Sequence, residues 1–401
     1  MSVLTDVAIQ VPYHRPSIGS EEIEEVVSTL QSGWLTTGPR TAQFEEEFRT
    51  FAAAPQALAV NSCTSGLHLA LASLDIGPGA EVITTPLTFC ATVNVILQVG
   101  ATPVLADVGP DGNIDPASVA AKITERTRAI IPVHLAGLPC EMDAIWRLAR
   151  KHNLHVIEDA AHAAGSRYRG CPIGAGNLET GYVSKASVFS FYATKNLTSA
   201  EGGMVTTHDP VLAETMRNLC LHGISQDAWN RYSDRGNWYY EVLRPGFKYN
   251  LTDLQSAIGI HQLRKLERFI EIRTRYAQTY NEIFADVAEF ELPPDKDHCR
   301  HAWHLYALRL NLDRIEVGRD EFIEKLKQKG IGTSVHFIPI PLHPAYAPLS
   351  QRPENQCPEA LALYPRLISL PLYPAMTEAQ VEYVAESAKE IAYRVRKRKA
   401  A

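Results

Sequence analysis

Between about residue 57 and residue 210, short and nearly continuous apolar runs alternate with amphipathic helical patterns, and nothing else in the chain restricts its fold so strongly. The runs 57–60, 81–84, 103–107, 129–133, 154–157, 188–192 and 204–206 read as strands. A strand with one wetted face alternates polar and apolar residues; these runs do not, so both faces must be covered. Between them, 65–74 sets Leu67, Ala70, Leu71 and Leu74 at helical spacing, and 143–152 does the same with Ile145, Leu148 and Ala149. Strand–helix alternation of this kind predicts an α/β domain with a mainly parallel sheet.

At 401 residues the chain exceeds one ordinary core, which predicts two lobes. We place an N-terminal arm at 1–20, a large domain at 21–265 and a smaller α+β domain at 266–401. Ser20 is suited to cap a first helix, with Glu21 and Glu22 at its positive end and Ile23, Val26, Val27 and Leu30 on one face. A helical pattern over 252–284 reads as more than one helix leaving the large lobe. The small unit reads as a strand near 303–310, a helix near 320–329, a strand near 332–337 and a last helix over 377–394.

Composition narrows the partners. A net charge of −6 argues against nucleic acid, and the basic run of Arg394, Arg396, Lys397, Arg398 and Lys399 reads as a solvated tail. The most apolar stretches last only a few residues, too short to cross a membrane, and the first residues lack the pattern of a secretory leader. Seven cysteines, an odd number without a C-x-x-C pair, read as reduced thiols in a cytoplasmic protein.

Ligands of parallel sheets sit beyond the strand carboxyl ends, so the residues after each strand carry the chemistry. After 57–60 comes Asn61-Ser-Cys-Thr-Ser-Gly, which fits an anion cradle at a helix N-terminus or a plain cap by Ser62 or Thr64. After 154–157 come Glu158, Asp159, Ala160, Ala161 and His162. A carboxylate there needs a cation, a cap role, or the pyridine nitrogen of a cofactor. After 188–192 stand Lys195 and, soon after, Glu201-Gly-Gly, where glycine admits close backbone approach to a ligand. A lysine in a dry site loses its proton and becomes a nucleophile; its rival Lys185 lies before the strand and reads as exposed. Thr64, Asp159 and Lys195, about 95 and then 36 residues apart, together offer an anion cradle, a nitrogen partner and a covalent anchor.

Those residues sit in longer segments that resemble one family. Gly33-Trp-Leu-Thr-Thr-Gly-Pro, Thr85-Pro-Leu-Thr-Phe-Cys-Ala-Thr, Glu158-Asp-Ala-Ala-His, Phe189-Ser-Phe-Tyr-Ala-Thr-Lys-Asn-Leu-Thr-Ser-Ala-Glu-Gly-Gly and Pro245-Gly-Phe-Lys-Tyr-Asn-Leu-Thr-Asp-Leu-Gln are similar to the sugar aminotransferases of the DegT/DnrJ/EryC1/StrS family. His301-Ala-Trp-His-Leu and Gly330-Ile-Gly-Thr-Ser-Val-His-Phe bring the chain nearest the branch resembling UDP-4-amino-4-deoxy-L-arabinose aminotransferase.

The resemblance implies a fold-type I (aspartate aminotransferase-like) enzyme with a seven-stranded sheet, using pyridoxal 5′-phosphate as a homodimer with shared active sites. It implies Lys195 as the Schiff-base lysine, Asp159 as partner of the ring nitrogen, His162 beside the phenolic oxygen and Phe89 stacked on the ring. Thr64, Ser65 and Ser190 correspond to phosphate ligands, and Asn250 to a phosphate contact from the neighbouring subunit. Trp229, Arg231, Tyr232 and His336 are candidates for the sugar nucleotide, although a packed histidine explains His336 equally. The implied reaction takes an amino group from L-glutamate to a nucleotide-linked keto sugar, probed first as a UDP-4-keto sugar; amination at C3 and a non-catalytic cofactor-binding regulator are the alternatives. Lysine at position 195 disfavours the family's dehydratases, which carry histidine there. Phe89 replaces the tryptophan usual in the arabinose branch, and residues 338–346 follow the general family pattern. The histidines of His298-Cys-x-His-x-x-His do not form a metal site on this reading, because a strand over 303–310 turns His301 and His304 to opposite faces.

Overall fold

The computed structural model describes residues 9–177, 180–224, 240–351 and 356–397. Its large sheet is built from β1 (Gln56–Val60), β2 (Glu81–Thr84), β3 (Thr102–Leu105), β4 (Thr127–Ile131) and β5 (His155–Asp159). A short antiparallel ribbon, β6 (Arg167–Tyr168) and β7 (Cys171–Pro172), precedes its last members, β8 (Ala186–Ser190) and β9 (Gly203–Thr207). The order is β1-β9-β8-β5-β4-β2-β3, and β9 alone runs against the rest. All seven expected strands are present. Successive side chains feed two cores: Ala57, Ala59, Ile130 and Val156 enter one, while Leu58, Val60, Ile131 and Ile157 enter the other. Two buried faces explain the missing polar alternation.

The first helix, Ser20–Ser32, departs from expectation. Gly19 is its N-cap, and the Glu22 carboxylate accepts the Gly19 N–H at 2.8 Å. Its shared apolar face does not pack inward: Ile23, Val27 and Leu30 are 59%, 45% and 52% exposed.

The pattern over 252–284 forms one unbroken helix, Asp253–Phe284, capped reciprocally by Thr252 and Gln255. At about 1.5 Å per residue it is long enough to serve two cores. Ile260, Leu263, Leu266 and Ile270 pack into the large lobe, and Tyr276, Ala277, Tyr280 and Phe284 into the second. Asp253 at its start also caps the helix Pro39–Phe51, accepting the N–H groups of Gly38, Arg40 and Thr41 at 2.7–3.0 Å.

The second lobe pairs β10 (Phe290–Glu291), β12 (Tyr306–Leu310) and β13 (Leu367–Leu370), all antiparallel; β11 (Cys299–Arg300) joins the β6–β7 ribbon instead. Helices Arg319–Gln328 and Glu378–Arg394 cover it. The strand expected near 332–337 is absent as a ladder; only bridges form, Val11 to Ile331 and Ser334 to Ser369. The arm occupies that edge so closely that a β-carbon on Gly332 would lie 2.6 Å from the Tyr13 nitrogen. Within the basic C-terminal run Arg396 forks onto Glu289 at 2.6 and 3.0 Å, and Arg398 and Lys399 lie outside the described residues. Among the described residues no helix is long and apolar enough to cross a membrane.

Candidate active site

The parallel strands deliver their carboxyl ends to one side of the sheet, where a cavity of about 530 Å³ opens. Ser62 and Thr64 follow β1, Thr88 and Phe89 follow β2, Val133 follows β4, and Asp159 and Ser190 end β5 and β8; all line it.

Strand alternation separates the two acids at the end of β5. Glu158 enters a buried network, accepting from Ser187 Oγ at 3.0 Å and from His134 Nε2 at 2.9 Å. The Cys140 N–H donates to His134 Nδ1, which places the His134 proton on Nε2. Asp159 turns the other way, into the cavity. Thr92 Oγ1 donates to its Oδ2 at 2.8 Å and the Ala161 N–H to its Oδ1 at 3.1 Å. Burial nevertheless raises its pKa, desolvation outweighing these two donors and the nearby Lys195.

Lys195 follows β8 in a turn closed by its own N–H on the Tyr192 carbonyl at 2.9 Å. Its amine faces the same cavity, and desolvation brings its pKa down to about 8. Lys185, by contrast, pairs with Asp209 at 3.2 Å near the surface. His162 Nδ1 accepts the Ala136 N–H at 3.2 Å, so a neutral His162 carries its proton on Nε2. Burial depresses its basicity strongly.

The helix Cys63–Ser73 points its N-terminus at the cavity. Ser62 is the cap, accepting the Ser65 N–H at 3.0 Å. Of the Glu201-Gly-Gly turn, Glu201 and Gly202 line the cavity, while Gly203 packs on the helix start: a β-carbon there would lie 2.8 Å from the Cys63 nitrogen and 2.7 Å from the Phe189 carbonyl oxygen.

The donor set therefore holds one buried carboxylate, one low-pKa amine and one helix N-terminus with three hydroxyl groups beside it. A pyridine nitrogen, an aldehyde and a phosphate are the three groups such a set would match. The sequence signature described as the DegT/DnrJ/EryC1/StrS aminotransferase family matches residues 16–389. The chain belongs to that aminotransferase family. It is 49% identical over 383 residues to the spore coat polysaccharide biosynthesis protein SpsC of Bacillus subtilis, covering 95% of this chain and 97% of SpsC. The putative sugar aminotransferase Spr1654 of Streptococcus pneumoniae, solved in PMP and PLP forms, superposes in its PMP form with a TM-score of 0.89 at 33% identity, covering 96% and 100% of the two chains. PseC of Helicobacter pylori, an aminotransferase of pseudaminic acid biosynthesis, gives 0.87 at 33% identity with the same coverage. The fold is accordingly fold-type I, and the cofactor is pyridoxal 5′-phosphate.

In this aminotransferase Lys195, Asp159, His162, Thr64, Ser190, Phe89 and His336 all line one cavity. Ser65 does not: its hydroxyl donates to the Ser62 carbonyl at 2.8 Å within the cap, a local bond that a run of small hydroxyl residues conceals. Phe89 is 60% exposed, its ring centroid 6.1 Å from that of Phe337. Asn250 donates to Thr37 Oγ1 at 2.7 Å and does not line this cavity. Trp229, Arg231 and Tyr232 lie outside the described residues. His336 sits on no strand, and its Nδ1 lies 2.8 Å from Ser369 Oγ.

Sequence reasoning missed Thr92, Tyr13 and His14. The Thr88-to-Thr92 spacing, one helical turn after β2, could have revealed the first; the arm has no periodicity to reveal the others. The histidines of the 298–304 segment are separated, but not by strand alternation, since β12 begins only at Tyr306. His301 stacks on Trp303, with ring centroids 4.0 Å apart, while His304 lines the cavity beside His162.

Proposed function

We propose that this aminotransferase moves the amino group of L-glutamate onto the ketone of a nucleotide-linked keto sugar, with a UDP-4-keto sugar and C4 as the first choice and C3 as the alternative. The observation that carries the reading is the Lys195 amine, its pKa lowered to about 8, in the same cavity as the buried Asp159 carboxylate. The sugar class is supported by SpsC, Spr1654 and PseC, whose names point to polysaccharides, sugars and pseudaminic acid. Tyr13, His14, Thr88 and His336 add hydrogen-bonding groups suited to sugar hydroxyls around the cavity.

When bound, pyridoxal phosphate supplies a carbonyl carbon for amine attachment and a ring that accepts electrons. The protein does the rest. Helix N–H groups and the hydroxyls of Ser62, Thr64 and Ser190 would hold the phosphate, and an ionised Asp159 would hold a proton on the ring nitrogen. His162 would offer its Nε2–H to the phenolic oxygen. Lys195 Nζ would be the anchoring amine and, as a neutral base, the group that holds and moves the proton.

The exposed apolar face of helix Ser20–Ser32 supports a homodimer, in which Asn250 would serve the neighbouring site. Among the described residues no two cysteines are joined in a disulfide, which suits a reducing cytoplasm.

The purified protein should be yellow, bleach with L-glutamate and recover on addition of the keto sugar, with product NMR locating the new amine. Borohydride reduction and peptide mapping should mark Lys195. Colour that L-glutamate leaves unchanged, or a reduced peptide lacking Lys195, would refute the reading.

A further inference from the structure

Asn196 follows the lysine directly and is buried. Its Nδ2 donates to the Ala302 carbonyl at 2.8 Å, so its Oδ1 is the atom that meets His304 Nδ1 at 3.2 Å. An amide oxygen only accepts, and neutral His304 must therefore carry its proton on Nδ1. Both partners belong to the segment leading into the second lobe.

That segment is itself held. Its Ala302 and His304 N–H groups donate to the Gly137 and Ala136 carbonyls at 3.1 and 2.9 Å, and Arg273 Nη1 donates to the His304 carbonyl at 3.3 Å. Ala136 and Trp303 adopt positive φ of 59° and 47°, a conformation residues with a β-carbon seldom take. Backbone strain of this kind persists only where surrounding contacts enforce it. The fixed segment offers Asn196 one acceptor and one donor, and Asn196 satisfies both.

We propose that His304, acting through Asn196, is a positioning residue for Lys195: the two hydrogen bonds of the Asn196 amide latch the lysine turn to the segment 302–304 and fix where the amine stands in the cavity. The proposal rests on Lys195 being the functional amine. The amine shares its surroundings with the Asp159 carboxylate and with Cys63, His162, His304 and His336, so moving it changes both its desolvation and its distance from Asp159.

The test exploits the two ends of the imidazole. Asparagine at 304 keeps an N–H donor where Nδ1 stands; glutamine places its amide near Nε2 and loses that donor. In cofactor-free full-length protein, competitive acylation of Lys195 across pH, read by mass spectrometry, reports the amine without any turnover. Asn196→Ala and His304→Gln should raise the labelling midpoint toward the ordinary lysine range by about one pH unit. In the loaded enzyme they should lower kcat about tenfold with KM changed less than about twofold. His304→Asn should keep the wild-type labelling midpoint, and the Asn196→Ala/His304→Gln pair should shift it no further than either change alone.

A His304→Gln midpoint equal to wild type, or a His304→Asn midpoint displaced as far as that of His304→Gln, would overturn the latch. If His304→Gln does not fold, Asn196→Ala decides by the same midpoint. Borohydride mapping of the wild type tests the functional reading separately, because the labelling experiment contains no cofactor.

Discussion

Burying a lysine that only later loses its charge should cost stability, and Lys195 makes that cost measurable. Its pKa of about 8 in the fold stands against 10.5 for an ordinary lysine. At about 1.4 kcal/mol per pH unit this is at most about 3 kcal/mol at pH 7, and about 2 kcal/mol once cavity water is allowed for. Because the folded pKa is the lower one, the unfolded chain binds the extra proton between about 8 and 10.5. The penalty is therefore complete below pH 8 and vanishes as pH rises past 10.5. Lys195→Met keeps the bulk and removes the charge. In urea titrations of cofactor-free protein, the variant should exceed wild type by about 2 kcal/mol at pH 7, with the gap shrinking above pH 8 and closed only past 10.5. Comparing the two proteins cancels groups remote from Lys195 that titrate in that window, notably the buried thiol of Cys220, whose pKa burial raises. A variant no more stable than wild type at pH 7, or a gap that widens with pH, would refute the reasoning.

Four further outcomes are expected. Thr92→Val removes the 2.8 Å donor to Asp159, so the acid limb of the kcat/KM profile should move to higher pH, with about a tenfold loss near that limb. Asp253→Ala should lower stability by about 3 kcal/mol in denaturant titration, since three N–H groups at the next helix lose their acceptor, while borohydride still marks Lys195. Gly203→Ala forces a β-carbon against two backbone atoms and should cost about 3 kcal/mol with weaker cofactor retention, both read by absorbance during unfolding. His14 and His336 have pKa values lowered to about 4 by burial. The unfolded chain therefore gains protons first, and denaturation midpoints should fall as pH drops from about 6.5 toward 4.

Much of this was legible in the chain because it is local. Seven apolar runs without alternation announced strands buried on both faces, and the residue after each strand lies on the side where ligands bind. The motif order placed Thr64, Asp159 and Lys195 before any coordinates did. Where a local pattern had two physical meanings, sequence alone could not choose. A face of Ile23, Val27 and Leu30 looks the same whether it meets the core or remains exposed, and a serine beside a cap looks the same as a ligand.

The sequence by itself determined the sheet and singled out Thr64, Asp159 and Lys195 as candidates, since these follow from periodicity and residue chemistry along a few neighbouring positions. Tertiary structure alone decided that Glu158 joins the buried His134 network and what Thr92, Tyr13 and His14 touch. It also decided that one helix spans both cores. These depend on contacts between residues tens to hundreds of positions apart, and a desolvated amine acquires its altered pKa only when those distant walls close around it.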